Sequence, residues 1–515
     1  MSTRIRPSRR RDEQQNRAVT AVNPLLNTLP LVEVISEEGV QAIHRASMRL
    51  LGDVGMLIVD YPPALEIFRQ HGAKIEGERV WIDEDTLMHF VRQAPSTFTV
   101  QARNAANHLP IGGNHCVFAP IYGPPFVSDY QRGRRVSTMA DFNNFAKLSQ
   151  MSHDIHLAGG VLCEPNDLDN SERHLDMLLA LITHSDKAFM GSVTHINNAR
   201  DSITMGEIVF GKQSIRENPG MIMTVNASSP LRYDDRMFSV VHAYAEAGQP
   251  CLFTPFIIAG AMSPSTMAAT VAQLNAEALF GICFAQMVNP GCPAVYGSFL
   301  ANIDMKSGAP CFGTPENNLA MFAGGQMARY YKLPYRSGGN FTASRIPDAQ
   351  AGYESATTMW ATMQAGTNFV LHAAGWLEGG LIASYEKFVL DLEICAMAAR
   401  YVKGISLTDE DFAWDAYEEA GPGKHFLGTA HTLRHYTTAF HQHKAFSMDN
   451  YEKWEEEGSV DSYKKAYGIW QKMLRDYEAP PLDEATREEL HAFVAHRRAE
   501  IQAGRPRSGW ESSKP

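Results

Sequence analysis

Eight short apolar segments, each bounded by Gly, Pro or Asn, recur along the chain and limit what it can fold into. They are HCVFAP at 115, HLAGGVLC at 156, AFMGSV at 188, GMIMTVNASSP at 220, CLFTPFIIAG at 251, CPAVYGSFL at 292, LPYRSGGN at 333 and NFVLHAAGW at 368. Their starts fall about 30 to 42 residues apart, the length of a strand, a helix and two loops. The intervening stretches, such as ATVAQLNAEALFGICFAQM, are helical in propensity and period. Eight βα units predict an α/β protein whose residues 106–403 form a closed (β/α)8 TIM barrel, slightly longer than is usual for that architecture. A doubly wound open sheet is the alternative. Against it, no GxGxxG follows the first strand, and GPGKH at 421–425 lacks the distal Gly and the Ser/Thr of a phosphate-binding loop.

The flanks read differently. Residues 31–105 are expected to form an N-terminal α/β cap. In it, Ser36 caps a helix with Glu37 and Glu38 in its first turn, Gly52 closes that helix, and VWID (80–83) pairs with FTVQAR (98–103). From 404 to 515 the chain turns charged and aromatic at helical periods, which predicts a C-terminal helical extension. Its last helix should run from Asp483 to about Ala503, after the break at Pro480 and Pro481. Residues 1–30 are predicted to be a disordered tail, since MSTRIRPSRRRDEQQNR carries six arginines and little to bury.

A formal charge of −11 argues against a nucleic-acid partner and favours small molecules or proteins. No run of about 18 apolar residues is evident, so no membrane contact is expected. The start lacks the apolar core of a secretory signal, although its Arg-rich, Ser-containing composition leaves room for a transit peptide. Seven cysteines, widely spaced and without a CxxC, fit reduced core thiols and a cytoplasmic setting.

In a barrel, chemistry belongs where strands end and loops begin. The residues there are Tyr122 and Asp129, Glu164 and Asn166, His195, Asn226 and Ser228, then Tyr296, Glu316, Asn340, His372, Trp376 and Glu378. The set is rich in acids and aromatics and poor in bases apart from Arg336 and Arg345. Such a rim suits a cation: a quaternary ammonium has no N–H to donate and is held by π-faces and carboxylates. The competing reading is that Tyr296 and Trp376 simply fill the barrel mouth. HTLRH at 431–435 places His431 and His435 on one helical face, with His441 and His443 nearby, but it lacks the Glu of HExxH. Packing histidines, and no metal, are expected.

Five further stretches carry a family resemblance: SEEGVQAIHRASMRLLGDVG at 36–55, GTPENNLAMFAGGQMARYYKLPYRSGG at 313–339, IPDAQAGYESA at 346–356, GWLEGGLIASYEKFVLDLEI at 375–394 and GPGKHFLGTAHTLRHY at 421–436. Together they resemble the trimethylamine methyltransferase family from about residue 31 to residue 500. The resemblance implies a barrel enzyme that docks with a small corrinoid protein, whose cobalt(I) takes a substrate methyl in line. It implies no tightly bound cofactor, the corrinoid (cobalamin) being supplied by the partner, and a homo-oligomer. The enzyme's task would be to hold the methyl in near-attack geometry and exclude water.

One position narrows the substrate. Members that act on trimethylamine carry pyrrolysine just before the Pro-Asp of the PDAQAGYE-like stretch, and here that position is Ile346. The chain is therefore similar to the non-pyrrolysine branch, for which glycine betaine is the leading type of donor. Carnitine, choline, proline betaine, a sulfonium, or a quaternary-amine binding role without corrinoid docking are the alternatives. Within that branch Tyr122, Tyr296, Phe341 and Trp376 are the expected contacts of the cationic head. Glu316, Glu378 and His372 are expected to supply charge and orientation as the catalytic set, Asn340 lies among the substrate contacts, and Arg336 or Arg345 meets a substrate carboxylate.

Overall fold

The computed structural model describes residues 24–510 and 512. The Arg-rich stretch through residue 23 lies outside them, while Leu25 and Leu26 already pair with Cys116 and His115. All eight apolar segments are strands: β1 (His115–Phe118), β2 (Leu157–Gly159), β3 (Ala188–Phe189), β4 (Met223–Val225), β5 (Cys251–Phe253), β6 (Ala294–Gly297), β7 (Tyr335–Gly338) and β8 (Phe369–Leu371). Each is followed by a helix: α1 (Met139–Met151), α2 (Arg173–His184), α3 (Ile196–Phe210), α4 (Asp235–Glu246), α5 (Met267–Val288), α6 (Pro315–Tyr330), α7 (Ala349–Gln364) and α8 (Tyr385–Val402).

Parallel pairing runs from β4 through β5, β6, β7 and β8 to β1. The ring closes through reciprocal bonds between Phe118 and His156, the β2–β3 pair, and a parallel bridge between Met190 and Ile222. The result is a (β/α)8 barrel. Its strands read as nearly continuous apolar runs because both faces are buried, one by the lumen and one by the helices.

Alternation along the strands sorts side chains between those two faces. Val117, Leu157, Leu252, Val295, Phe369 and Leu371 fill the lumen. An antiparallel hairpin, Thr97–Val100 with Leu109–Gly112, adds Val100, Leu109 and Ile111 and closes the N-terminal end of the barrel. The strand Arg79–Trp81 pairs instead with Met56–Val59 and Lys74–Glu76, so the expected VWID to FTVQAR pairing does not form. Ser36 does cap the helix Glu37–Arg49, accepting from Gly39, but the helix continues as a π-turn past Gly52 and ends at Gly55, where φ is 80°.

One helix, α5, has the length and mean hydropathy (1.3) of a membrane-crossing segment. It is a core helix: 83% of its apolar window is buried. Its polar residues all find protein partners, with Asn275 donating to Ser47 and Tyr331, Glu277 accepting from Leu231, and Gln286 donating to Cys292. Beyond α8, helices Ser462–Arg475 and Glu484–Gln502 pack on the barrel; Asp483 caps the last of them by accepting from Thr486.

Candidate active site

The C-terminal ends of β5 to β8 converge on a cluster of rings. Phe299 and Phe256 follow β6 and β5 on a small parallel sheet, where Phe256 sits directly beside Phe299. Phe312 lies before α6, Phe341 after β7, and His372 and Trp376 after β8. The Phe341 and Trp376 centroids are 4.9 Å apart, Phe312 and Trp376 5.2 Å, Phe299 and Phe341 5.5 Å, and His372 and Trp376 4.5 Å. Close approach to glycine makes this packing possible. A Cβ on Gly338 would stand 2.0 Å from the Phe341 ring, and one on Gly380 2.4 Å from Trp376. The Trp376 indole N–H donates to the Thr342 carbonyl at 3.1 Å, fixing the ring's tilt.

Arg336 is the cation of the site. It shares a register row with the lumen residues Phe369 and Val117, which places it on the inward face of β7. Its guanidinium lies 5.2 Å from the Phe299 centroid and donates to the Ser298 carbonyl at 3.1 Å, while its Nε is buried without a partner. Burial lowers its pKa to about 9, with no carboxylate among the groups that act on it. A buried guanidinium with an unmatched donor carries a desolvation cost that no protein acid offsets here.

His372 accepts the Tyr122 backbone N–H on Nδ1 at 3.3 Å, which leaves the ring proton on Nε2. Burial, then the nearby Arg336 charge, holds its pKa well below the ordinary histidine value, so the ring is neutral. Its φ is 66°, Asn340 has φ 56° and Glu378 φ 49°. Three non-glycine residues in the left-handed region at one rim mark a backbone over-determined by its surroundings. Asn340 donates to the Ala373 carbonyl at 2.6 Å, joining the β7 and β8 loops, and its buried Oδ1 is unpartnered. The Tyr122 ring packs onto Gly160, and burial raises its hydroxyl pKa above the usual range.

The structure thus brings together Arg336, Phe341, His372, Trp376, Asn340 and Tyr122. Tyr296 is elsewhere. Val295 takes the inward position, so Tyr296 points into the helix layer and donates to Asn275 at 3.0 Å. Glu316 is exposed on the first turn of α6, and Arg345 and Ile346 are exposed on the loop before α7. Glu378 is paired with Arg134 at 2.9 Å, which already neutralises its carboxylate. Other rim residues hold loops: Asp129 binds Arg132, Glu164 binds Arg173, His195 caps α3, and Ser228 donates to Asp234. Phe256, Phe299 and Phe312 carry no signal in the sequence, because they lie beyond the barrel strand ends and each reads as an ordinary apolar residue.

At the rim of the barrel, stacked rings thus stand beside one buried arginine that has no carboxylate partner. The profile of the trimethylamine methyltransferase (MTTB) family matches residues 2–502, and the chain belongs to that family. It is 41% identical to a "Glycine betaine methyltransferase" of Desulfitobacterium hafniense (strain Y51) over 92% of this chain and 98% of the relative. It is 32% identical to a "Proline betaine:corrinoid methyltransferase" of Eubacterium limosum, over 76% and 83%. A third relative, "Trimethylamine methyltransferase MttB" of Desulfitobacterium hafniense (strain DSM 10664 / DCB-2), is 29% identical over 89% and 92%.

Proposed function

We propose that this chain is a methyltransferase that moves a methyl group from glycine betaine to the cobalt(I) of a corrinoid protein. The observation that carries the substrate is the pairing of opposite needs in one cluster. The π-faces of Phe299, Phe312, Phe341 and Trp376 suit a trimethylammonium head. Arg336 lacks an acid partner and suits a carboxylate. A simple cation such as choline would meet the Arg336 charge uncompensated, whereas a zwitterion satisfies both ends. Proline betaine and carnitine share the two groups and differ in bulk.

In this reading the C–N bond breaks, its electron pair stays on nitrogen, and dimethylglycine leaves. No proton moves, so the neutral His372 serves as a wall and as a hydrogen-bond donor through Nε2 rather than as a base. The acceptor enters with the partner protein over the rim. The chain's own residues supply orientation and exclusion of water, the terms that govern a displacement between two held reactants. Ile346 offers no electrophile to trap a tertiary amine, in keeping with a donor already quaternised.

We place the enzyme in the cytoplasm, on the strength of seven unpaired cysteines, and place its self-association on residues 405–451, where Ile405, Leu407, Trp414, Leu427 and Phe440 are exposed. The test of function is direct. The protein, its cognate corrinoid protein in the cobalt(I) state and glycine betaine should give the cobalt absorbance change with stoichiometric dimethylglycine. No change with glycine betaine, proline betaine, carnitine or choline would end the reading as a methyltransferase of quaternary amines. Calorimetric binding without turnover would leave a binding protein in its place.

A further inference from the structure

Far from the aromatic rim, three side chains stand together that the methyl-transfer reading does not use. Glu393 lies on the outer half of α8 and is only 4% exposed. His441 and His443 come from the extension, in a segment that is neither helix nor strand. Among the described residues these three form the one group of His, Cys or carboxylate side chains whose ligand atoms all lie within 4.8 Å of one another. Glu393 is held rigidly, as one of its oxygens accepts the backbone N–H groups of Lys444 at 2.7 Å and Ala445 at 2.8 Å. Its other oxygen faces His443 Nδ1 at 3.0 Å. The two imidazole rings stand nearly perpendicular, with centroids 4.6 Å apart.

A hydrogen bond between Glu393 and His443 explains two of the three. It leaves His441 unexplained, because His441 Nε2 is buried without a partner. An orphaned buried nitrogen beside a carboxylate and a second imidazole calls for a partner of its own. We infer that Glu393, His441 and His443 bind a divalent transition metal, zinc by the chemistry of the donors. Two imidazoles and a carboxylate are a borderline N2O set that zinc takes at about 2.0–2.2 Å. Those bond lengths put tetrahedral ligand atoms about 3.4 Å apart, within the 4.8 Å that bounds the existing cluster, so His441 would move inward to bind. A cavity of about 140 Å³ adjoins the cluster, with Asp154 on its wall.

The position assigns the ion a structural task. The cavity is walled by residues 151–154, the turn between α1 and β2 at the N-terminal end of the barrel, and by Ile469 and Met473 of the extension. That end of a barrel serves stability, and catalysis belongs to the opposite rim. The metal would clamp the 441–443 segment to α8 and so tie the extension to the barrel.

Untagged protein measured by plasma mass spectrometry should hold one zinc per chain. Stripping with a chelator should lower Tm by several degrees, and zinc returned in slight excess should restore it. His441→Ala and, as a milder change, His441→Gln should lose the bound metal and the zinc-dependent rise in Tm, while His435→Ala keeps both. Absence of stoichiometric metal together with no response of wild-type Tm to added zinc, cobalt or nickel would overturn the site. So would equal metal retention in His441→Ala.

Discussion

The Arg336 guanidinium lies 5.2 Å from the Phe299 centroid and donates to the carbonyl of Ser298, the residue before that ring. One segment following β6 therefore both holds the arginine and forms part of the aromatic wall. The charge and the π-surface cannot shift independently.

From this follows the expected behaviour of Arg336→Gln. Loss of a charge-assisted contact in a dry site is worth about 2–4 kcal/mol, roughly a 30- to 1000-fold weaker affinity for glycine betaine. Tetramethylammonium, which has no carboxylate, should bind the variant at least as well as the wild type. Calorimetric titration of both ligands decides it; an equal loss for both would place the carboxylate contact elsewhere.

Gly338→Ala tests the aromatic wall without touching charge. Its Cβ would stand 2.0 Å from Phe341 Cζ, so the ring must leave its place against Trp376 and Phe299. Overpacking of this kind costs about 1–3 kcal/mol. The fall in methyl transfer should exceed what the fall in Tm explains, since a displaced wall misplaces the methyl group. A variant with reduced Tm but wild-type kcat/KM would separate Phe341 from the substrate.

Much of this was legible in the sequence, and the failures have identifiable causes. The eight barrel strands announce themselves because a strand buried on both faces reads as an unbroken apolar run. Which residues of such a run face the lumen does not show, for the same reason. Tyr296 reads as a residue of the mouth, but a one-residue shift in parity, with Val295 inward, turns it to Asn275 instead. Glu378 reads as a free acid until Arg134, 244 residues earlier in the chain, is seen to pair with it. The strand Arg79–Trp81 pairs with Met56–Val59, nearer in the chain, while Thr97–Val100 pairs with Leu109–Gly112 in the hairpin that plugs the barrel.

Acid should destabilise the fold through His372. Its pKa is depressed in the folded protein by burial and by Arg336, while the unfolded chain titrates near 6.5. Below that value the unfolded state binds a proton that the folded state refuses, so stability is complete above about pH 6.5 and falls as the pH drops. The slope approaches about 1.4 kcal/mol per pH unit for one such group. His184, lowered to about 4 by burial and Lys147, adds a second term of the same sign. Denaturant midpoints between pH 7 and pH 5 should fall less steeply in His372→Gln than in the wild type; identical slopes would remove His372 from the linkage.

Lys187 should act as a structural cross-link. Its ammonium is buried and donates to the carbonyls of Ser149 at 2.7 Å, Ser152 at 2.6 Å and Ile155 at 2.6 Å, closing the turn that leads from α1 into β2. Lys187→Met keeps the stem and removes the donors, stranding three acceptors. About 2–4 kcal/mol of destabilisation is expected, read as a lower denaturant midpoint with an unchanged slope.

Behind the rim, Lys387 is ion-paired with Asp391 on α8 and donates to Ser355 at 2.8 Å. Asp391 in turn accepts the Gly375 N–H at 2.8 Å, next to Trp376. Lys387 also approaches the carbonyl of Asn340, next to Phe341, at 3.5 Å. The pair thus braces the two loops that carry the facing rings. Removing one partner strands a buried charge and costs about 3–5 kcal/mol, whereas replacing both with apolar residues of similar volume can be nearly neutral for stability. Asp391→Leu and Lys387→Met alone should each lower Tm sharply, and the double variant should recover much of the loss. If the brace also aligns the rings, the recovered double variant should fold yet remain slow, because nothing then draws Gly375 and Asn340 together. Full recovery of both Tm and kcat would make the pair a packing feature of α8 with no hold on the site.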